Sequence, residues 1–200
     1  TFNNTTTVGA VVQNSSPNTL TFFNYNFTGA DPSSITITGT NIFNNLSFAG
    51  RTTAGVTPIS IGANQTVNGT LTFSAGTNAT MRHFCRSDTI GTTRTITTAA
   101  FSGTDVDFRD ITIAGAAAPI SGTRFGDCKG NSGITFTAAA NKYWNLAAGG
   151  GWSATGWALT SGGGAAANNF PLAQDTCIFE ATGLNSGAAI TINLSYNIGT

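Results

Sequence analysis

Along the chain, an apolar residue, a Ser or Thr, and a second apolar residue follow one another repeatedly. The triplets read Leu20-Thr21-Phe22, Ile35-Thr36-Ile37, Leu46-Ser47-Phe48, Ile59-Ser60-Ile61 and Leu71-Thr72-Phe73. Further on come Ile111-Thr112-Ile113, Ile134-Thr135-Phe136 and Ile190-Thr191-Ile192. A period of two puts the apolar side chains on one face of a strand and the hydroxyl on the other, and the residue types are those that strands favour. Gly39, Gly50, Gly62, Gly76 and Gly115 follow several of these segments. The pattern predicts short strands separated by turns.

The spacing of the strands predicts their arrangement. Leu20, Leu46, Leu71 and Ile96 are separated by 26, 25 and 25 residues, and Ile35, Ile59, Phe84, Ile111 and Ile134 by 24, 25, 27 and 23. Two interleaved series with one period of about 25 imply a chain that returns to the same face once per turn. The fold class expected is therefore all-β, a parallel β-helix (β-solenoid) with rungs of about 25 residues, each burying its apolar residues against its neighbours. Evenly spaced hairpins give a similar pattern, so a β-sandwich or jelly roll is the alternative. On the solenoid reading Leu46, Phe48, Leu71, Phe73, Ile111, Ile113, Ile134 and Phe136 point into one elongated core.

Composition supports strands and removes several function classes. Thr, Gly, Asn and Ser supply 35, 25, 20 and 15 of the 200 residues, and only 16 residues are charged. Lys occurs twice, at Lys129 and Lys142, and the good helix formers are scarce. Fourteen Phe and three Trp exclude a disordered tail. Eight basic and eight acidic residues cancel, and no basic stripe exists to hold nucleic acid. No apolar run is long enough for a membrane span. The opening Thr1-Phe2-Asn3-Asn4 has no signal-peptide character, and Tyr196-Asn197-Ile198-Gly199-Thr200 reads as the start of another strand, so a processed or partial chain is expected. Cys85, Cys128 and Cys177 are odd in number and far apart, which fits buried free thiols better than a disulfide framework or a zinc site. No cofactor is expected.

Composition shifts near residue 138. Residues 82–129 hold 11 of the 16 charges and the single histidine, whereas the chain from 138 onward is rich in Ala and Gly and carries all three Trp between 144 and 157. A boundary near Ala138–Asn141 divides the chain into solenoid rungs (1–138) and a Trp/Gly-rich capping or next-module segment (139–200).

That second segment carries Tyr143-Trp144, Gly149-Gly150-Gly151-Trp152-Ser153, Trp157, Ser161-Gly162-Gly163 and Pro171-Leu172-Ala173-Gln174-Asp175-Thr176-Cys177-Ile178-Phe179. It is preceded by Gly126-Asp127-Cys128-Lys129-Gly130-Asn131-Ser132-Gly133-Ile134-Thr135-Phe136. This order resembles a recurrent segment of large phage virion proteins, such as tail fibres, and of related bacterial surface proteins. There a Tyr-Trp, a Gly-x-Trp-Ser, a Trp-x-x-Ser-x-Gly-Gly and a Pro-x-x-x-Asp segment precede solenoid rungs. The resemblance covers roughly residues 124–198 and departs from the pattern at Asn145, where the family commonly has a second aromatic. It implies a structural or adhesive role, a trimeric assembly, and a place on the virion surface or tail. It transfers no catalytic residue.

Read physically, three Trp among glycines are expected to fold over the open end of the solenoid and plug it. Asp175 is placed to accept turn amides. The functional alternative makes Trp152 and Trp157 a carbohydrate-binding platform, although aromatics usually serve packing. Asp105-Val106-Asp107-Phe108-Arg109 is the sharpest polar constellation. On a strand, Asp105, Asp107 and Arg109 share a face while Val106 and Phe108 point to the core. Paired carboxylates suit acid–base cleavage of a glycoside, with Asp88, Asp110 and Asp127 as possible complements. The plainer reading is a neutral, exposed Asp–Arg–Asp ladder. His83 and Cys85 are expected to face outward opposite a core-facing Phe84. A Cys–His nucleophile or two-ligand metal site there lacks a third partner. Nine Asn-x-Ser/Thr sequons follow from the Ser/Thr content, and the Gly-rich stretches lack the Lys of a phosphate loop.

The function expected is a structural or receptor-binding component of a phage virion, with an enzyme less favoured. The alternatives are a tailspike-type polysaccharide depolymerase using Asp105 and Asp107, or an extracellular adhesin on a bacterial surface. Partners expected are copies of the same chain, most simply three, other virion proteins, and host surface polysaccharide.

Overall fold

A computed structural model of the chain describes residues 1–197. The strand anticipated to start at Tyr196 falls mostly on residues 198–200, outside the described residues. The first strands are β1 (Phe2–Asn4), β2 (Ala10–Gln13), β3 (Leu20–Phe27), β4 (Ile35–Thr38), β5 (Asn41–Phe48), β6 (Gly55–Ile61) and β7 (Gln65–Phe73). They continue with β8 (Met81–Ser87), β9 (Arg94–Gly103), β10 (Val106–Arg109), β11 (Ile111–Ala114), β12 (Ile120–Ser121), β13 (Gly126–Asp127) and β14 (Ile134–Thr135). They build two six-stranded sheets, in the orders β1-β3-β5-β7-β9-β11 and β13-β10-β8-β6-β4-β2, so that successive strands alternate between sheets up to β11. Every pairing within these two sheets is parallel. The protein is all-β with parallel sheets. A sandwich of antiparallel hairpins is not what these residues form.

Parallel pairing in register lines like residues up in columns. Phe27, Phe48 and Phe73 stand directly above one another, their rings stacked at 5.2 and 4.9 Å. Tyr25, Leu46, Leu71 and Phe101 form a second column, and Ile35, Ile59, Cys85 and Phe108 run along the facing sheet. One continuous apolar core lies between the sheets. Leu46, Phe48, Leu71, Phe73, Ile111 and Ile113 are buried in it, and Ile134 and Phe136 pack against it half-buried.

The repeat is looser than the sequence spacing suggests. Leu46 does face Leu71, 25 residues on, but Leu20 faces Asn41 and Ile96 faces Gln65. Ile111 belongs to the other sheet, beside Arg94, and Ile134 pairs with Ile120. Partner separation runs from 21 residues (Tyr25 to Leu46) to 30 (Leu71 to Phe101) because turns differ in length and the register shifts in β5 and β7. At that shift, Asn45 Oδ1 accepts the Thr70 amide at 2.8 Å while Asn44 and Asn45 both donate to Asn24 Oδ1. Side-chain amides thus satisfy groups that the interrupted ladder leaves unpaired.

The remaining strands are β15 (Asn141–Trp144), β16 (Gly149–Gly151), β17 (Trp157–Ala158), β18 (Thr176–Ile178) and β19 (Ala189–Thr191). They form one three-stranded and one two-stranded sheet around a second core of Trp144, Trp152, Trp157, Phe170 and Ala79. Ala79 lies in the turn between β7 and β8, where its amide meets Asn168 Oδ1 at 3.2 Å. The tryptophans therefore do not plug the end of the main core. They pack on one another against its flank, because Gly-rich connections let residues 142–197 fold back along the second sheet. Ile120, Phe125, Ile134 and Phe136 pack at the β12–β14 end of the main core instead. Asp175 does anchor turns, accepting the Ala140 and Leu172 amides at 2.8 and 2.9 Å.

Candidate functional site

The outer face of the second sheet carries the charged residues. In β8, His83, Cys85 and Ser87 point inward and Phe84 and Arg86 outward, the opposite of the facing expected for His83, Phe84 and Cys85. The reason is register. Cys85, not Phe84, stands in line with Ile59 and Phe108 of the core column, so the parity of the whole strand is set one residue away. His83 lies 2 % exposed with its ring beside Phe73, and its Nε2 meets the Ser74 carbonyl at 3.0 Å. Burial pushes the Cys85 thiol up to about 12. Neither residue has the access or charge state of a nucleophile pair.

Asp105 and Asp107 keep the predicted outward facing, with Val106 and Phe108 in the core, but they are sealed rather than exposed. Arg82, one turn of the chain earlier, clamps Asp107 through Nε at 3.1 Å to both carboxylate oxygens and through Nη2. The same guanidinium reaches Asp105 at 3.4 Å and donates to the Arg124 carbonyl at 2.9 Å. Arg124 closes the group by holding Asp105 with Nε and Nη2, the latter at 2.8 Å. Asp105 and Arg124 have positive φ, 60° and 57°, which swings both into the cluster at turns. A Cβ on Gly126 would lie 2.0 Å from Asp107 Oδ1, so only glycine fits there. Burial lowers the proton affinity of Arg82, and the charges of Asp107 and Asp105 more than reverse it, leaving a net rise.

The lid over this cluster is the end of the described chain. Asn197 Nδ2 donates to Asp107 Oδ2 at 2.9 Å, Tyr196 Oη donates to the Thr80 carbonyl at 3.0 Å, and the Tyr196 ring packs on Phe170 at 4.6 Å. As placed, neither carboxylate is open to a substrate. Of the possible complements, Asp88 pairs with Arg94 at 3.0 Å, Asp110 accepts the Gly91 amide, and Asp127 accepts Lys129 N and Asn131 Nδ2.

Beside the lid opens a cleft of about 820 Å3, walled by Phe84, Arg109, Cys128 and Lys129 on one side and Gln174–Cys177 with Tyr196 on the other. A smaller hollow of about 220 Å3 meets it at Phe84 and Tyr196 and reaches Arg86. Arg86 and Arg109 are cross-strand neighbours, their guanidinium carbons 5.8 and 5.3 Å from the centre of the Phe84 ring. Sequence reasoning attached Arg109 to the aspartates and passed over Phe84 as core. The signal that would have found the true pairing is the repeat itself, since Arg82 and Asp107 are 25 residues apart.

The three cysteines are free, Cys85 buried and the others half-buried. Trp152 and Trp157 are 6 % and 1 % exposed and meet each other at 4.8 Å, so their faces are spent on packing. Among the described residues no group of three or more His, Cys, Asp or Glu is placed to hold a metal ion, and no helix is long and apolar enough to cross a membrane. No family model, curated protein or solved structure matches the chain.

Proposed function

We propose that the chain is a structural or adhesive component of a phage particle, such as a tail fibre or spike, built as a parallel β-helix with rungs of about 25 residues. What carries the reading is the pair of parallel sheets between which the chain alternates, with Phe and Asn columns stacked in register. Such a ladder extends by repetition and makes a stiff rod or wall. The resemblance of residues 124–198 to virion segments supplies the setting, and residues 139–200 form the module that follows the rungs. A bacterial surface adhesin would use the same architecture.

The depolymerase alternative needs carboxylates that reach a glycosidic bond. Asp105 and Asp107 are instead neutralised by Arg82 and Arg124 beneath Asn197, which favours the non-enzymatic reading. The test is release of reducing ends from a panel of bacterial surface polysaccharides. No release is expected. Release that disappears in Asp107→Asn, with the fold intact by circular dichroism, would overturn the proposal.

A homo-oligomer belongs to the same reading. Net charge is zero, lysine is scarce, and Phe2, Val8, Val11 and Phe23 lie exposed on the first strands. Strand edges that must stay alone normally carry lysine. Three copies about a shared axis close such surfaces.

A further inference from the structure

We propose that the Arg86–Phe84–Arg109 cleft binds an oxyanion-bearing ligand of sugar size, an acidic saccharide being the class that fits it best. The proposal deepens the adhesive reading and rests on it for its biological setting, while the binding chemistry stands on the cleft alone.

The first observation is charge without compensation. Arg86 and Arg109 sit side by side on parallel strands, and like charges in that position repel. Arg86 makes no ion pair among the described residues, and Arg109 comes only within 3.6 Å of Asp110, beyond hydrogen-bond reach. Arg86 Nε and Arg109 Nε and Nη2 are buried with no acceptor. Elsewhere on this face the guanidinium of Arg82 is saturated by carboxylates and a carbonyl. Unmet donors of this kind call for an acceptor from outside the chain.

The second observation is that the acidic residues around the cleft are already committed. Asp127 accepts from Lys129 N and Asn131 Nδ2, and Asp175 accepts from two backbone amides. Their charge lowers the local potential, but their lone pairs are turned to the chain. A guanidinium is matched in shape to a carboxylate, phosphate or sulfate. The cleft's volume of about 820 Å3 far exceeds a bare ion and lies in the range of small-molecule sites. Gln174, Tyr196 and Asn197 add polar edges and Phe84 an aromatic one, the mixture that suits a hydroxylated ring bearing an acid group.

Calorimetric titration of the full chain with trigalacturonate, maltotriose and inorganic phosphate tests the assignment. Binding of trigalacturonate but not maltotriose, weakened about tenfold or more in Arg109→Gln, is the expected result. Phosphate that binds and displaces trigalacturonate assigns the oxyanion to a free ion rather than a sugar acid. Arg86→Gln provides a second variant should Arg109→Gln misfold, and wild-type affinity must fall as salt is raised. Equal binding of maltotriose, affinity indifferent to salt and to both substitutions, or no binding by any probe would overturn the site. Failure here leaves the structural reading intact. Release of reducing ends would instead sink the structural reading and leave the oxyanion site standing.

Discussion

His83 is the residue whose chemistry is most altered by its place in the fold. Burial is the largest cause, drawing its pKa from 6.5 to about 4; the Ser74 carbonyl works against this, and nearby Arg51 and Arg82 add to it. The unfolded chain takes up a proton near the ordinary value, whereas the folded chain does so only near 4. Below 6.5 the unfolded state therefore binds more protons, and stability is lost as pH falls through that window. The loss by pH 4 is about 3 kcal/mol. Urea unfolding of the wild type at pH 7.5 and pH 4 should show that much more acid loss than His83→Leu, in which the titrating group is gone. Equal losses in the two proteins would show that the histidine is not the source. The Arg82–Asp105–Asp107–Arg124 cluster lies next to it in the chain and follows another logic. Removing one member of such a group exposes its partners to an unpaired buried charge, whereas the intact cluster adds little net stability. Its consequence is placement, since it ties β8, β10, the turn at Arg124 and Asn197 together.

Among the strands, β7 bears the most on stability. It sits between β5 and β9, with Leu71 fully buried between Leu46 and Phe101 in its column. Leu71→Asp would place an unpaired charge there, at a cost of about 3 kcal/mol or more. Because each strand is held by its neighbours, the damage should spread along the column. Hydrogen exchange should show lost protection in β5 and β9 as well as β7. Loss confined to β7 would contradict a cooperative ladder. The register shift within β5 and β7 belongs to this scale as well. Asn24, Asn44 and Asn45 tolerate an extra residue by replacing ladder hydrogen bonds with side-chain ones. A strict repeat is therefore not required for the sheets to stay in line.

At the scale of the whole molecule, the chain presents two bodies of contact, the long core between the sheets and the tryptophan core on its flank. The proposed association into trimers concerns the outer surfaces of the first body. Light scattering on the purified chain at micromolar concentration should give three times the monomer mass. A stable monomer under those conditions overturns the assembly. The cleft between the second sheet and Gln174–Asn197 exists only because the second body folds back, and no single strand carries it.

The sequence by itself determined the strands and their parity in most of the chain. Leu46-Ser47-Phe48 and Leu71-Thr72-Phe73 have one face to bury, and period two leaves no other way to bury it. It also determined that Val106 and Phe108 face the core while Asp105 and Asp107 do not. An average period near 25 was legible because columns of Phe and Leu must meet to exclude water. Individual partners were not, since turn length and the shift at Asn44–Asn45 move the register without changing the pattern of any one strand. Tertiary structure alone decided that His83 lies inside and Phe84 outside, because β8 is apolar at both Phe84 and Cys85 and only its neighbours β6 and β10 select between them. It alone buried the aspartates, since exposure depends on what folds over a face, and Tyr196 and Asn197 lie some 90 residues further along the chain. The tryptophans were legible as packing residues but not as to their place, because Gly-rich connections fix no direction and the contact with Ala79 is made across the whole fold. Local patterning sets which side of a strand is apolar; only long-range packing sets what each side meets.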